Sequence, residues 1–135
     1  MRGRPLLDTH AWIWWVNGDS RLNARVRSAI DALPGDTRPY LSAISLWEVA
    51  MLVYRKRIAF ATPLVQWLRQ ASASTVVELV PLTADIAADT AALPDSFHRD
   101  PADRIIVATS RIMGLPVATD DRLILRSRLV RRWTP

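Results

Sequence analysis

Short apolar runs alternate along this chain with longer segments of helical periodicity. "PLLD" reads as a buried strand that stops at Asp8, and the apolar helix after it carries Trp12, Trp14, Trp15 and Val16 as far as Asn17-Gly18. A second helix is expected to start at the cap Ser20 and run through "RLNARVRSAIDAL" until Pro34-Gly35 ends it. "YLS" is a further short strand, after which Ser42 is placed to cap "AISLWEVAMLVYRKR", a helix whose basic last turn complements its dipole. Thr62 before Pro63 opens "PLVQWLRQASA", "VVELVP" alternates as a strand, and Thr83 caps "ADIAADTAAL". Asp100 before Pro101 repeats the cap-then-proline signal for a helix ending at Gly114. "LPVAT", "DDRLILRS" and "LVRRW" close the chain as strand, helix and strand. Strands alternate with helices throughout, which predicts an α/β fold: a three-layer α/β/α arrangement around a mainly parallel central sheet.

Length and composition narrow this picture. The 135 residues suit a single domain spanning 1–135, and with half of them hydrophobic and 23% charged the chain describes a packed globule. No cysteine is present, which excludes disulfides and thiolate chemistry and fits a reducing compartment. The start "MRGRPLLDTHAWIWWV" is interrupted by Asp8 and His10 and lacks a cleavage site, and no stretch is long enough to span a bilayer. A soluble, cytoplasmic protein is therefore expected. The net charge is +5, and Lys56 is the one lysine among eighteen basic residues. Arginine forks suit phosphate or carboxylate partners, although a GC-rich genome produces the same bias.

The acidic residues change the picture most. Ligand sites in open α/β sheets lie beyond the carboxyl ends of the strands. Asp8 ends the first strand, Asp120 follows "PVAT", Asp100 and Asp103 open a helix, and Glu48 lies about two turns into the helix after "YLS". Distant segments thus deliver carboxylates to one sheet edge. Two carboxylates about 4 Å apart repel by roughly 4 kcal/mol near a protein surface, so four together require protons or a cation. Oxygen ligation without cysteine points to Mg²⁺ or Mn²⁺. Such an ion at a basic surface suits phosphodiester hydrolysis.

Several of these residues also have plainer roles. Asp100 is a natural cap, Asp103 sits where a capping box places its acid, and Asp120 and Asp121 both fall in a first helical turn. Trp12 and Trp15 share a face suited to burial, whereas Trp14 points elsewhere, toward a partner surface. His10 and His98 read as local hydrogen-bonding or substrate-side residues. Arg104 either orients Asp103 or touches phosphate.

The ordered blocks "LLDTHAWIWW", "SAISLWEVAML", "HRDPADRIIVATS" and "LPVATDDRLI" resemble the PIN-domain family, in particular VapC-type toxins of bacterial toxin-antitoxin pairs, over nearly the whole chain. The resemblance implies a Mg²⁺- or Mn²⁺-dependent endoribonuclease toxin that cuts structured cellular RNA. It implies Asp8, Glu48, Asp103 and Asp120 as the catalytic and metal-binding quartet, with Asp100, Asp121 and Thr119 auxiliary. It further implies a VapB-like antitoxin as partner, operator DNA reached only through that antitoxin, and a homodimer. Candidate antitoxin surfaces are the exposed part of the Trp12 to Trp15 helix and the helix carrying Trp47. The competing reading is a non-catalytic α/β binding module whose acids cap helices and whose basic face binds nucleic acid or an acidic partner. A receiver domain would need a late lysine, and a haloacid-dehalogenase-like phosphatase would need an aspartate where "DTH" has histidine.

Overall fold

The computed structural model describes residues 3–135. Four short strands, β1 (Leu6–Leu7), β2 (Tyr40–Ser42), β3 (Glu78–Val80) and β4 (Val117–Ala118), pair in parallel in the order β3-β2-β1-β4. The helices are α1 (Thr9–Val16), α2 (Ala24–Asp31), α3 (Ile44–Tyr54), α4 (Leu64–Ala71), α5 (Ala84–Ala92), α6 (Pro101–Met113) and α7 (Arg122–Ser127). Successive strand residues point to opposite faces, so Leu6 and Leu7 serve two different cores. Leu7, Leu41 and Ala118 pack with Trp12, Ile30, Val49 and Trp67 from α1 to α4. Leu6 and Val117 meet Ile106 of α6, while Val80 meets Ile86 of α5 and Ala108 of α6. Helices therefore cover both faces of the sheet, the three-layer α/β/α arrangement expected from the alternation. No described helix is long and apolar enough to cross a membrane.

Local chemistry moves several boundaries from where the sequence pattern puts them. The cap of α2 is Asn23, whose side chain accepts from the backbone N–H groups of Arg25 and Val26, and not Ser20. Asp19 turns the chain there instead, accepting from the Arg21 N–H and pairing with its guanidinium. Asn23→Ala is expected to destabilise the protein by about 1 kcal/mol in a urea titration. The cap of α3 is Ala43; Ser42 reaches only the Ile44 N–H, at 3.3 Å. Arg55, Lys56 and Arg57 lie past the end of α3 rather than in its last turn, with Lys56 at φ 58° breaking the helix. Pro63 itself is the cap residue of α4, one place later than Thr62. Thr83, Asp100 and Gly114 stand at the helix ends foreseen for them, and Gly114 adopts the left-handed φ of 66° that glycine tolerates best. The terminal strand is reduced to one parallel bridge, Val117 with Arg132, because the chain bonds to Val117 only through Arg131 O and Trp133 N.

Chain order places β2 and β3 on one side of β1 and β4 on the other. The reversal leaves a crevice beyond the carboxyl ends of the strands beside β1, the position at which such sheets bind ligands. Asp8 follows β1 directly, the loop after β4 carries Thr119 to Asp121, and α3 and α6 bring Glu48 and Asp103 over the same edge.

Candidate active site

A cleft of about 610 Å³ occupies that crevice, lined among others by Asp8, Glu48, Asp100, Asp103, Asp120 and Asp121. Each carboxylate is held differently. Asp8 is buried and caps α1, its Oδ1 accepting from the Ala11 N–H at 2.8 Å. Burial pushes its carboxyl above the ordinary range, against the opposing effect of hydrogen bonds from the Thr119 hydroxyl and Ala11. Thr119 in turn accepts from the Asp121 N–H at 2.9 Å, which ties the loop after β4 to the residue after β1. Glu48 accepts from the Thr9 hydroxyl, and Thr9 is itself 2.9 Å from the Ser45 hydroxyl. Burial raises its pKa as well, with the charge of Asp100 adding to the effect.

Asp103 is strongly perturbed. Burial first, then the charges of Asp100, Glu48, Asp121 and Asp8, push it up to about 8. Its Oδ2 lies 3.1 Å from Nε2 of His98, an approach without hydrogen-bond alignment. Asp100 caps α6 by accepting from the Asp103 N–H at 2.9 Å and also enters the cluster. One carboxylate oxygen each from Glu48, Asp100 and Asp103 lie within 4.8 Å of one another. Capping and clustering are therefore compatible for Asp100: one oxygen meets the helix N–H, and the carboxylate still faces its neighbours.

The consecutive acids after β4 divide. Asp120 is exposed and pairs with the Arg132 guanidinium. Asp121 caps α7, accepting from Leu123 and Ile124, and its charge acts on both Asp8 and Asp103. The charges of Asp8, Glu48, Asp100 and Asp121 all act on Asp103, while Asp120 lines the same cleft paired with Arg132. The clustered acids offer oxygen donors, a set that fits a hard divalent cation, with His98 beside Asp103 and His10 in the cleft lining.

Arg104 does neither of the things its position beside Asp103 offers. Its guanidinium donates to the backbone carbonyls of His98, Thr90 and Phe97, bracing the turn that leads into α6. Arg104→Ala is expected to cost about 2 to 3 kcal/mol in urea unfolding, and Arg104→Lys is expected to recover only part of this, because an ammonium cannot reproduce the fork.

Comparison with known proteins identifies the family. Residues 6–127 match the PIN domain. The chain belongs to the PIN-domain family. This PIN domain is 37% identical over 123 residues to Ribonuclease VapC22 of Mycobacterium tuberculosis, with 91% of each chain covered. Among solved structures it is similar to FitAcB from Neisseria gonorrhoeae, at 26% identity and TM-score 0.64 over 96% of both chains. A toxin-antitoxin complex from Klebsiella pneumoniae shares the fold at 23% identity, with TM-score 0.60 over 87% of this chain and 86% of the other.

Two supporting features of this PIN domain escape a reading of acids alone. Thr9 and Ser45 form a buried hydroxyl pair that anchors Glu48, and their signal in the sequence is polar residues inside otherwise apolar stretches, "LLDT" and "AISLWE". The bracing role of Arg104 leaves no such signal, since its partners are backbone carbonyls.

Proposed function

We propose that this PIN domain is a metal-dependent endoribonuclease of the VapC type, the toxin of a toxin-antitoxin pair that acts on cytoplasmic RNA. The observation that carries this reading is the convergence of one buried and two half-buried carboxylates, Asp8, Glu48 and Asp103, with raised pKa values on one cleft, in a chain 37% identical to a protein named a ribonuclease. A purely structural role leaves the cost of burying Asp103 among four other acids without a compensating purpose. The similar solved structures include toxin-antitoxin complexes, which supports a small antitoxin as partner.

Asp8, Glu48 and Asp103 would hold Mg²⁺ or Mn²⁺, with Asp100 and Asp121 completing the ring of negative charge. When bound, the ion supplies an activated water and neutralises charge on the phosphate. The protein's own contribution is preorganisation. The Asp8 carboxylate is fixed by Ala11 and Thr119, Glu48 by the Thr9 hydroxyl, and Asp103 by the rigid start of α6. Asp103, pushed up to about 8, is the carboxyl from which a bound cation would displace a proton at neutral pH.

We assign the fourth carboxylate to Asp121 rather than Asp120, on the strength of the Asp120 to Arg132 pairing and the field of Asp121 at Asp8 and Asp103. The test is cleavage of a panel of structured RNAs, including total tRNA and ribosomal RNA, with Mg²⁺ or Mn²⁺ present. Asp121→Asn is expected to lower the rate at least about a hundredfold, and Asp120→Asn to stay within about tenfold of wild type. A larger loss in Asp120→Asn would reverse the assignment, and full activity in Asp8→Asn and Asp103→Asn would remove the proposed site altogether.

A further inference from the structure

The long wall of the cleft is one face of α3. Glu48, Met51, Leu52 and Arg55 recur at the i, i+3, i+4, i+7 spacing of a single helical stripe, and all four line the cleft. A carboxylate thus stands at the cluster end, and a guanidinium stands about 10 Å further along the axis. Trp47 flanks this stripe beside Glu48 and is 46% exposed.

Its indole differs from the other tryptophans whose contacts are known. Trp12, Trp15 and Trp67 each donate the indole N–H to an oxygen, at 2.9, 2.9 and 3.0 Å. Trp14 meets His10 and lies under Arg21. Trp47 has no hydrogen-bond, ring or cation partner among the described residues. The arginines divide in the same way. Arg27, Arg38 and Arg104 donate to backbone carbonyls, whereas Arg55 and Arg57 line the cleft, exposed and with no partner among the described residues.

We propose that Trp47 is a base-stacking platform, and Arg55 and Arg57 phosphate contacts, for a single-stranded segment of the RNA substrate running from the carboxylate cluster along α3. The inference rests on the ribonuclease reading and adds a subsite to it. Charge complementarity favours RNA over a peptide. Along the cleft the sign changes from carboxylates to guanidinium groups, so a polyanion anchored at a cation-loaded cluster finds its next phosphates opposite arginines. An exposed indole offers a π-face to any base, which gives affinity without strict sequence demand.

The experiment is fluorescence anisotropy with a labelled single-stranded RNA of randomised sequence, about a dozen nucleotides long, with Mg²⁺ present. An Asp103→Asn background keeps the RNA whole. Adding Trp47→Ala is expected to weaken binding about 5- to 100-fold, with Trp47→Phe within about threefold of the background. Arg55→Ala with Arg57→Ala is expected to reduce the slope of log affinity against log salt by about 1.4, or 0.7 per lost phosphate contact. Unchanged RNA affinity in Trp47→Ala would overturn the inference, including the case where that variant instead sheds a co-purifying antitoxin and so assigns the indole to a peptide. If wild type cleaves RNA while the Trp47→Ala single variant keeps its KM, the subsite fails and the ribonuclease reading stands. If the background protein binds no RNA and wild type cuts none, both fail together.

Discussion

Asp103→Asn is expected to raise the melting temperature of the metal-free protein by several degrees and, in the same variant, to lower RNA cleavage at least about a hundredfold. Both effects have one cause. The Asp103 carboxyl is pushed up to about 8 by burial and by the charges of Asp100, Glu48, Asp121 and Asp8. An acid whose folded-state pKa lies above its unfolded value binds protons more tightly in the folded protein. Its contribution is therefore most favourable in acid, declines as pH rises above about 4, and levels off above about 8. At neutral pH the wild-type fold carries this penalty, of order 1 to 2 kcal/mol once the site's partial exposure is allowed for. A neutral amide of the same shape avoids it, and about 1 kcal/mol corresponds to several degrees in a domain of this size. The amide is also a poor ligand for a hard cation, so activity falls where stability rises, as at other strained functional centres. Differential scanning calorimetry at neutral pH beside an RNA cleavage assay reads both. A variant with lowered melting temperature and retained cleavage would contradict the account on both counts.

Mn²⁺ affinity is expected to rise by close to a factor of ten per pH unit between about pH 6 and pH 7 and to flatten toward pH 8, with about one proton released for each ion bound near pH 6 to 7. The sign follows from Asp103, whose carboxyl, pushed up to about 8, holds a proton below that pH that an ion bound there would displace. Calorimetric titration in two buffers of different ionisation enthalpy measures the protons directly. Ion at a hundred times its dissociation constant is then expected to stabilise the fold by about 2.7 kcal/mol. Affinity independent of pH, with no proton released, would mean that the carboxylates already stand ionised and apart.

Much of this arrangement is legible in the sequence because it depends on local signals. The cap Asp100 with Pro101, the stop at Gly114 and the short strand before Asp8 are written in adjacent residues, and together they aim Asp8 and Asp103 at one sheet edge, to which α3 adds Glu48. The misplaced features depend on choices between near-equivalent neighbours. Ser20 and Asn23 are both good caps, and the Asp19 turn decides for Asn23. In "TDDR" either aspartate could cap α7; once Asp121 does, Asp120 is left one residue outside, where Arg132 from the far end of the chain meets it. "LVRRW" has strand character, yet β4 is only two residues long and offers it little edge beyond the bridge at Val117. Arg104 could not be assigned from its neighbours because the carbonyls it braces, of Thr90 in α5 and of Phe97 and His98 before α6, come together only in the fold.

Anomalous diffraction from a crystal soaked in Mn²⁺ shows whether the carboxylate cluster holds a divalent cation. A peak is expected in the cleft within about 2.5 Å of carboxylate oxygens from at least two of Asp8, Glu48, Asp100 and Asp103, with Asp120 still paired with Arg132. No peak there, or a peak only at Asp120, would contradict cation binding by the cluster.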